Sequence, residues 1–476
     1  MPPAAALAYA RRNRRRFVDE LTRFVAIPSV AAEPEHGADV RRCAAWLARH
    51  LARIGLRAEV VRTAGQPLVV GRWSGAPGRP TVLVYGHYDV QPAEDPASWS
   101  HPPFDPVVRG GNLLGRGAVD DKGQLWAHVK AVESLLRTGG RLPVNLVCVF
   151  EGEEESGSGG LLALLRRPPR WLRADAVLVS DTTMRAPGRP AITYGLRGAL
   201  SFEVEVAGPG RELHSGLYGG AVHNPLQALC EIVAGLHDAR GRIAVPGLYD
   251  GLPAVPAAER AYLRRTGPTD AEILRDAGDP PAPWGEAGFT LYERIALRPS
   301  LSVNGMSGGY AGEGAKAVIP ATAHASLSLR LVPGQDPARV DRLVRRRVAA
   351  LAPPSVRVRV RTRFGARPAL VDRGHPVMRT AAAALRAAFG ADAVFLRSGG
   401  TIPVVSALAE ATGAPVVLMG LALPDDRMHG PDEKMSLDNL FRGIEASIRF
   451  LEGVGRMRPG RSRRTSVCAR GRKAAA

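Results

Sequence analysis

The sequence predicts an α/β protein in which a mainly parallel-sheet domain is interrupted by a smaller α+β domain. Two observations predict this fold class. Four short apolar runs do not alternate with polar residues, which is typical of strands buried on both faces, and helical segments lie between them. Strands in the middle of the chain instead alternate with a period of two, so each presents one polar face. The 476 residues suffice for two or three domains.

The first part of the parallel-sheet domain is predicted for residues 1–197. Residues 17–54 have apolar side chains at helical spacing, and LWAHVKAVESLL (125–136) predicts a further helix. The non-alternating runs predict its buried strands and one strand of the later part: TVLVY (81–85), VNLVCVF (144–150), DAVLV (175–179) and PVVLM (415–419).

The inserted domain is predicted for residues 198–375. Its alternating strands are ALSFEVEV (199–206) and VRVRV (356–360), and its helices are PLQALCEIVAGLH (225–237) and VDRLVRRRVAAL (340–351). A stretch rich in proline and glycine predicts a further insertion near 246–300. The first domain then resumes over 376–455, and residues 456–476 form a basic tail that we expect to be disordered.

The formal net charge of +19 does not by itself indicate a nucleic-acid partner. Nearly all the basic residues are arginines spread along the chain, and no nucleic-acid motif accompanies them. No apolar run reaches the ~18–20 residues needed to cross a bilayer, and the N-terminal arginines follow the apolar stretch instead of preceding it as in a secretory signal. The four cysteines show no CxxC spacing. We therefore expect a cytoplasmic protein without a membrane partner or a specific nucleic-acid partner.

Acidic residues and histidines follow each predicted buried strand. These segments are GHYD (86–89), EGEEESGSGG (151–160), Asp181 and RMHG (427–430), and GRGAVDDKG (115–123) lies between the first two strands, just before a helix. In an open α/β sheet, ligands bind beyond the carboxyl ends of the strands. Each residue taken alone is explained as a turn, a helix cap or a solvated side chain, but the joint pattern predicts one shared site.

The composition of this site is typical of a pair of divalent cations. Two cations ~3.5–4 Å apart need a bridging carboxylate, and histidines and carboxylates supply the remaining ligands. A ligand set without thiolate suits Zn²⁺, which we favour, and also Mn²⁺ or Co²⁺. Asp89 is spaced to orient the ring of His87. One glutamate of the acidic run would be a ligand and another a general base.

Four segments resemble the metal motifs of the co-catalytic metallopeptidases, the family of carnosinase, cytosolic nonspecific dipeptidase and the ArgE/DapE-type hydrolases. They are GHYDVQP (86–92), GRGAVDDKGQ (115–124), EGEEESGS (151–158) and VSD (179–181). Further segments resemble its dipeptidase branch: ELHSGLYGG (212–220), RPSLSVNG (298–305), GAKAVIP (314–320), SLRLVP (328–333) and SGGTIP (398–403). The resemblance covers residues 15–455 or so, and it implies that the insert is a ferredoxin-like lid and dimerisation domain.

The resemblance also implies the role of each residue in the metal site. The implied ligands are His87 and Asp181 for one metal, Glu155 and His429 for the other, and Asp120 between them, with a cis peptide bond after Asp120. Glu154 would be the general base, and Asp89 would orient His87. An assignment shifted by one residue among Glu153, Glu154 and Glu155 stays open. Asp181, where deacylases of the family tend to have Glu, favours a substrate with a free amino terminus.

For the substrate, the resemblance implies residues of the insert and of a glycine-rich turn. His214 would reach the active site of the neighbouring subunit of a homodimer and stabilise the oxyanion. Arg330 and the turn of Gly399, Gly400 and Thr401 would hold the substrate carboxylate.

These implications predict a metal-dependent dipeptidase that hydrolyses small peptides with a metal-activated water and a glutamate base. The main alternative is an N-acyl amino acid deacylase on the same scaffold. A non-catalytic binding protein on a decayed enzyme fold and an arginine-rich nucleic-acid binder are alternatives of other classes. All five ligand positions and the base are present, which disfavours the decayed fold.

Overall fold

The computed structural model describes residues 3–458, and contacts divide this part of the chain into two compact units. The first unit contains residues 3–194, 371–396 and 403–458, and the second contains 195–370 and 397–402. The predicted boundaries, 198 and 375, did not include the short segment 397–402, which belongs to the second unit. Most of the predicted basic tail, from residue 459 onward, lies outside the described residues.

Helices and strands alternate through most of the described residues. The α-helices are α1 (Ala4–Arg12), α2 (Arg14–Val25), α3 (Gly37–Arg53), α4 (Lys122–Gly139), α5 (Gly159–Leu165), α6 (Ser215–Tyr218), α7 (Pro225–Ala234), α8 (Ala257–Thr266), α9 (Asp270–Asp276), α10 (Leu291–Leu297), α11 (Pro337–Leu351), α12 (Pro376–Phe389), α13 (Pro403–Thr412) and α14 (Leu437–Gly455). The strands are β1 (Arg57–Val61), β2 (Leu68–Trp73), β3 (Thr81–His87), β4 (Val107–Arg109), β5 (Asn112–Leu114), β6 (Asn145–Glu151), β7 (Ala176–Val179), β8 (Ala191–Leu196), β9 (Gly198–Ala207), β10 (Leu213–His214), β11 (Ser300–Gly308), β12 (Val318–Ile319), β13 (Thr322–Leu331), β14 (Arg357–Ala366), β15 (Ala369–Leu370), β16 (Val394–Ser398), β17 (Val416–Gly420) and β18 (Lys434–Ser436).

The main sheet of the first unit has the strand order β1-β2-β6-β3-β7-β17-β8. Its centre is parallel, because β6, β3, β7 and β17 run in one direction, whereas β1, β2 and β8 pair antiparallel at the two edges. Every residue of β7 and all but the first residue of β3 and β6 are buried. The prediction of an α/β fold with a mainly parallel sheet is confirmed, and the antiparallel edges were not predicted.

The first helices of the chain depart from the prediction of one helical region. Residues 17–54 form two helices, α2 and α3, separated by residues 26–36. Pro28 and Pro34 lie in this gap, and proline cannot donate the hydrogen bond that a continuous helix requires. Helix α4 packs against α1, α2 and α14, and it begins at Lys122. It therefore starts directly after the two aspartates of the predicted metal site.

The second unit contains a four-stranded antiparallel sheet with the order β11-β13-β9-β14. Along the chain its elements follow as β9, α7, β11, β13, α11 and β14, which is the βαββαβ sequence of a ferredoxin-like fold. Helices α7 and α11 pack on the sheet, and Phe202, Val204, Leu329 and Val344 are buried in the core there. Alternate residues of β9 are buried, because only one face of the sheet meets the helices.

The stretch 246–300, predicted as a further insertion, contains the short helices α8, α9 and α10. Glu293 of α10 is fully buried and binds the guanidinium groups of Arg260 and Arg264 at 2.8 and 3.0 Å.

None of the helices within residues 3–458 combines the length and the apolar character needed to cross a membrane.

Candidate metal centre

The parallel strands of the first unit bring the predicted ligands to one edge of the sheet. His87 is the last residue of β3, and its neighbour across the ladder is Glu151, the last residue of β6. Asp181 follows the end of β7, and His429 lies in the loop after β17. Parallel strands end at a common edge, which is why residues so far apart in the sequence meet there.

Asp120 lies between two groups of potential metal ligands. In one group, ligand atoms of His87, Asp120 and Asp181 all lie within 4.8 Å of one another, and in the other the same holds for Asp120, Glu155 and His429. Nε2 of His87 is 3.1 Å from Asp120 Oδ1, and Nε2 of His429 is 3.0 Å from Asp120 Oδ2. The peptide bond between Asp120 and Asp121 is cis. The five residues are thus arranged as two sites that share one carboxylate.

The donor set fits divalent cations. Two imidazoles and three carboxylates without thiolate suit Zn²⁺ and also Mn²⁺. Oε1 of Glu155 is buried, lies 3.4 Å from Nε2 of His429 and has no hydrogen-bond partner among the described residues. Burial, together with the charge of Asp120, raises the pKa of Asp181 well above its usual range. Carboxylates crowded in this way are stabilised by a cation, so the residues fit a two-metal site.

Asp89 contacts both the first histidine and the acidic turn. Its backbone oxygen is 3.1 Å from Nδ1 of His87, and its carboxylate oxygen Oδ1 is 3.5 Å from the same nitrogen. The carboxylate also accepts the backbone N–H groups of Glu154 and Glu155, each at 3.1 Å. Asp89 therefore contacts the ring of His87, and its predicted role in orienting that ring stays a prediction. It also holds the turn that carries the two glutamates, which sequence reasoning missed.

The four glutamates of the acidic run have four different environments. Glu151 is buried and accepts hydrogen bonds from Tyr85 and Ser158 at 2.5 and 3.1 Å. Glu153 accepts the backbone N–H groups of Gln66 and Gly160 and so joins two loops. Among the three glutamates left open by the sequence, Glu155 is the one whose carboxylate lies in a ligand group. Burial and the charge of Glu155 raise the pKa of Glu154 to about 7, although His87 opposes this rise.

Sequence reasoning missed the residues that support the ligands. Gln91 donates from Nε2 to Oε2 of Glu155 at 2.7 Å. Glu433 is fully buried and accepts hydrogen bonds from the loop that leads to Asp120. The only available signals were the positions of Gln91 and Glu433, close to His87 and His429 in the sequence.

A third group of potential ligands in the first unit already contains a cation. Glu20, His50 and Glu133 have ligand atoms within 4.8 Å of one another. The ammonium group of Lys130 lies among them, 2.5 Å from Glu20 Oε2, 2.9 Å from His50 Nε2 and 2.7 Å from Glu133 Oε2. This group is therefore a buried ion-pair cluster that needs no metal.

The predicted substrate-binding residues belong to the second unit. Arg330 of β13 donates from Nη1 to Oγ1 of Thr401 at 2.8 Å. Arg197 donates to the backbone oxygen atoms of Gly399 and Gly400 at 2.8 and 3.1 Å, so it holds the predicted turn. Burial lowers the pKa of Arg197 to about 10, and the positive charge of Arg330 adds to this effect. Within residues 3–458, no carboxylate pairs with either arginine.

His214 also lies in the second unit, where it ends β10. Its side chain is exposed, and Nδ1 accepts the backbone N–H of Gly216 at 3.0 Å. This bond fixes the ring and leaves Nε2 free of a hydrogen-bond partner among the described residues. Its expected role at the active site of another subunit stays a prediction.

The chain is similar to known peptidases over most of its length. The model of peptidase family M20/M25/M40 matches residues 83–453. Cys-Gly metallodipeptidase dug1 of Schizosaccharomyces pombe is 32% identical over 465 residues, covering 94% of this chain and 97% of that protein. Human Beta-Ala-His dipeptidase is 31% identical over 472 residues, covering 94% and 93%. The crystal structure of the M20 family metallo-carboxypeptidase Sso-CP2 of Sulfolobus solfataricus is similar with a TM-score of 0.84 and 27% identity, covering 92% of this chain and 99% of that one.

Proposed function

Because the chain belongs to peptidase family M20/M25/M40, we propose that it is a metal-dependent dipeptidase that cleaves small peptides at the site around Asp120. The observation that carries this proposal is the sharing of Asp120 by two ligand groups, each completed by a histidine and an acidic residue. Two relatives that match nearly the whole chain are named as dipeptidases, which supports the same substrate class.

Two divalent cations, which we propose to be Zn²⁺ with Mn²⁺ and Co²⁺ as alternatives, would polarise the scissile carbonyl and lower the pKa of a water molecule towards ~7. His87 and Asp181 would hold one cation, Glu155 and His429 the other, and Asp120 would bridge them. Asp89 would keep the ring of His87 in the orientation that presents Nε2 to the site.

Glu154 is proposed as the general base. It lies beside the ligand Glu155 and is held in place through its backbone N–H, which Asp89 binds. Its carboxylate would accept a proton from the attacking water and pass it to the leaving amine. Its raised pKa, about 7, suits proton transfer near neutral pH, and nearby cations would favour its deprotonated form.

The second unit supplies the proposed subsite for the carboxylate at the end of the substrate. Arg330 and Arg197 are two cations without a carboxylate partner among the described residues, and Thr401 offers a hydroxyl bonded to Arg330. A guanidinium group binds a carboxylate through two parallel hydrogen bonds. Recognition of that carboxylate, with Gly400 in the adjoining turn, would limit the enzyme to short peptides.

We further propose a homodimer in which the partner subunit's His214 stabilises the oxyanion of the tetrahedral intermediate. One such donor is worth roughly 3 kcal/mol in comparable sites. The cytoplasmic location and the absence of a specific nucleic-acid partner, both expected from the sequence, are part of the same proposal.

A substrate panel tests the proposal. The metal-loaded enzyme is assayed on free dipeptides, including Cys-Gly and β-Ala-His, on tripeptides and on N-acyl amino acids. We expect hydrolysis of free dipeptides, with tripeptides cleaved more slowly and N-acyl amino acids not cleaved. Hydrolysis of N-acyl amino acids without hydrolysis of any free dipeptide would identify a deacylase instead.

A further inference from the structure

The carboxylate of Glu433 is the common acceptor of the loop that precedes Asp120. Its Oε2 accepts from Nη1 of Arg116 and from the backbone N–H of Gly117, both at 2.9 Å. Its Oε1 accepts the backbone N–H groups of Val119 and Asp120 at 2.9 and 3.0 Å. The side chain of Glu433 is fully buried, so no water competes for these four bonds. Glu433 therefore fixes the backbone at Asp120.

Arg116 connects the same carboxylate to the segment of His429. Its guanidinium group is 2% exposed and donates from Nη2 to the backbone oxygen atoms of His429 and Pro92, each at 3.2 Å. The group also lies over the ring of Trp99, with Cζ 5.0 Å from the ring centroid. One buried ion pair thus contacts the backbone of two predicted ligands, Asp120 and His429.

The two ligand groups depend on this ion pair to different extents. His87 ends the buried strand β3 and is 1% exposed, so the sheet itself holds it. The ring of His429 is 56% exposed, and the residue has a φ of +64°, in the left-handed region that non-glycine residues rarely adopt. His429 lies in a loop without regular structure, so its position relies on the contacts of its backbone.

We propose that the buried Arg116–Glu433 ion pair is a positioning device that sets the affinity of the site formed by Asp120, Glu155 and His429 for its divalent cation. The inference rests on the proposed two-metal function, and it adds a pair of residues that do not themselves bind the metal. Residues that orient metal ligands typically change metal affinity by about 10–100-fold when they are replaced.

The substitution Glu433→Gln tests the proposal because the four hydrogen-bond donors are divided equally between the two oxygen atoms of the Glu433 carboxylate. Each carboxylate oxygen accepts two donors, and the amide of glutamine keeps only one acceptor oxygen. In either orientation of the amide, two buried donors lose their acceptor. If the amide nitrogen faces Val119 and Asp120, the backbone at Asp120 is released directly, and otherwise Arg116 and Gly117 are released.

The experiment is a titration of the metal-free protein with Co²⁺, followed by visible absorption and by the number of ions bound per chain. Glu293→Gln is the matched control, since Glu293 is also fully buried and accepts from two arginines, yet all its donors belong to the second unit. Arg116→Lys is a second test variant, which keeps the positive charge and loses the second arm that reaches His429.

We expect the parent to bind two Co²⁺ ions, and Glu293→Gln to bind each of the two ions as tightly as the parent does. Arg116→Lys, which releases the segment of His429, should bind the first ion like the parent and the second at least tenfold more weakly, with an altered absorption spectrum for that ion. Glu433→Gln should also bind the second ion at least tenfold more weakly, and it can weaken the first as well, because Asp120 belongs to both ligand groups. Parental affinity for both ions in either folded variant would overturn the inference while leaving the proposed function intact. If the parent bound fewer than two ions, the proposed function would fail and the inference with it.

Discussion

Oδ2 of Asp120 lies 3.0 Å from Nε2 of His429, although the two residues come from distant parts of the chain. The other oxygen of the same carboxylate lies 3.1 Å from Nε2 of His87. Each imidazole therefore faces its own oxygen of one shared carboxylate. A carboxylate shared in this way by two ligand groups could hold a pair of cations, which in co-catalytic sites lie ~3.5–4 Å apart.

Replacing the proposed base should abolish most of the turnover without removing the metals. We expect Glu154→Gln to lower kcat for a free dipeptide by about 10²–10⁴-fold, because the amide cannot accept the proton of the water. The measurement is steady-state kinetics together with the number of metal ions per chain, which should stay at the parental value.

Glu153→Gln is the matched control, since the neighbouring Glu153 binds backbone N–H groups of two loops instead of facing a ligand group. We expect its kcat to stay within about tenfold of the parent. If the two variants exchanged these outcomes, the base would be Glu153 and the assignment of the acidic run would be wrong by one residue.

Arg330→Met should weaken the binding of peptides through their carboxylate. We expect KM for a free dipeptide to rise by at least tenfold, since a hydrogen-bonded charge pair of this kind contributes roughly 1.5–3 kcal/mol. KM for the corresponding dipeptide amide should change little, because that substrate has no terminal carboxylate for Arg330 to bind. Kinetics on the two substrates, compared between parent and variant, provide the measurement.

Arg359→Met is the control for this change, since Arg359 is an exposed arginine on β14 of the same sheet. It removes the same charge and should leave both KM values unchanged. An equal rise of KM for the dipeptide and its amide in Arg330→Met would argue against a carboxylate subsite.

Mixing two inactive variants tests whether His214 acts on the neighbouring subunit. His214→Ala lacks the proposed oxyanion donor, and Glu154→Gln lacks the base. In a mixed dimer, the Glu154→Gln subunit would supply its His214 to the active site of the His214→Ala subunit, which still has the base Glu154. Activity should therefore rise after subunits are exchanged, well above the residual activity of each variant alone.

The control is the Glu154→Gln protein exchanged with a double variant carrying both changes, which should stay inactive. No recovery in the first mixture, with dimers shown to have exchanged, would mean that His214 acts within its own subunit or not at all.

We expect the buried carboxylate of Glu293 to contribute to the free energy of unfolding of the second unit in a pH-dependent way. Burial would raise the pKa of Glu293, but hydrogen bonds from Arg260, from the backbone N–H of Thr290 and from Arg264 lower it from 4.5 to about 2. An acid with a depressed pKa stabilises the fold above the pKa of its unfolded state and loses this contribution as the pH falls. The shift corresponds to roughly 3 kcal/mol.

Denaturant unfolding of the parent and of Glu293→Gln measures this contribution. We expect the variant to be less stable at pH 7, and the difference between the two free energies of unfolding to shrink by more than half between pH 6 and pH 3. A difference that did not depend on pH in this range would show that the ion pairs do not stabilise the fold as described.

Much of the metal centre could be predicted because its residues follow recognisable elements. The buried strands β3, β6 and β7 are short apolar runs, and their polar neighbours Asp89, Glu155 and Asp181 follow within a few residues. Local pattern and the rule for parallel strand ends therefore suffice to bring these residues together.

The supporting contacts could not be predicted in the same way. Glu433 binds the loop around Gly117 only because two segments far apart in the sequence pack together, and no local period reports such packing. The antiparallel edge strands β1 and β8 were missed for a similar reason, because the direction of a strand depends on the path of the chain between strands. The break between α2 and α3 was signalled by Pro28 and Pro34, which outweigh the helical spacing of the apolar residues.

The most direct test of the two-metal dipeptidase is the rate of hydrolysis of a free dipeptide as Zn²⁺ is added to the metal-free protein, with bound metal counted per chain. We expect no hydrolysis without metal, and full activity only when two ions are bound. Asp120→Asn, which alters both ligand groups, should bind neither ion tightly. Full activity of the parent at one ion per chain or fewer would show that the enzyme does not use a pair of metals.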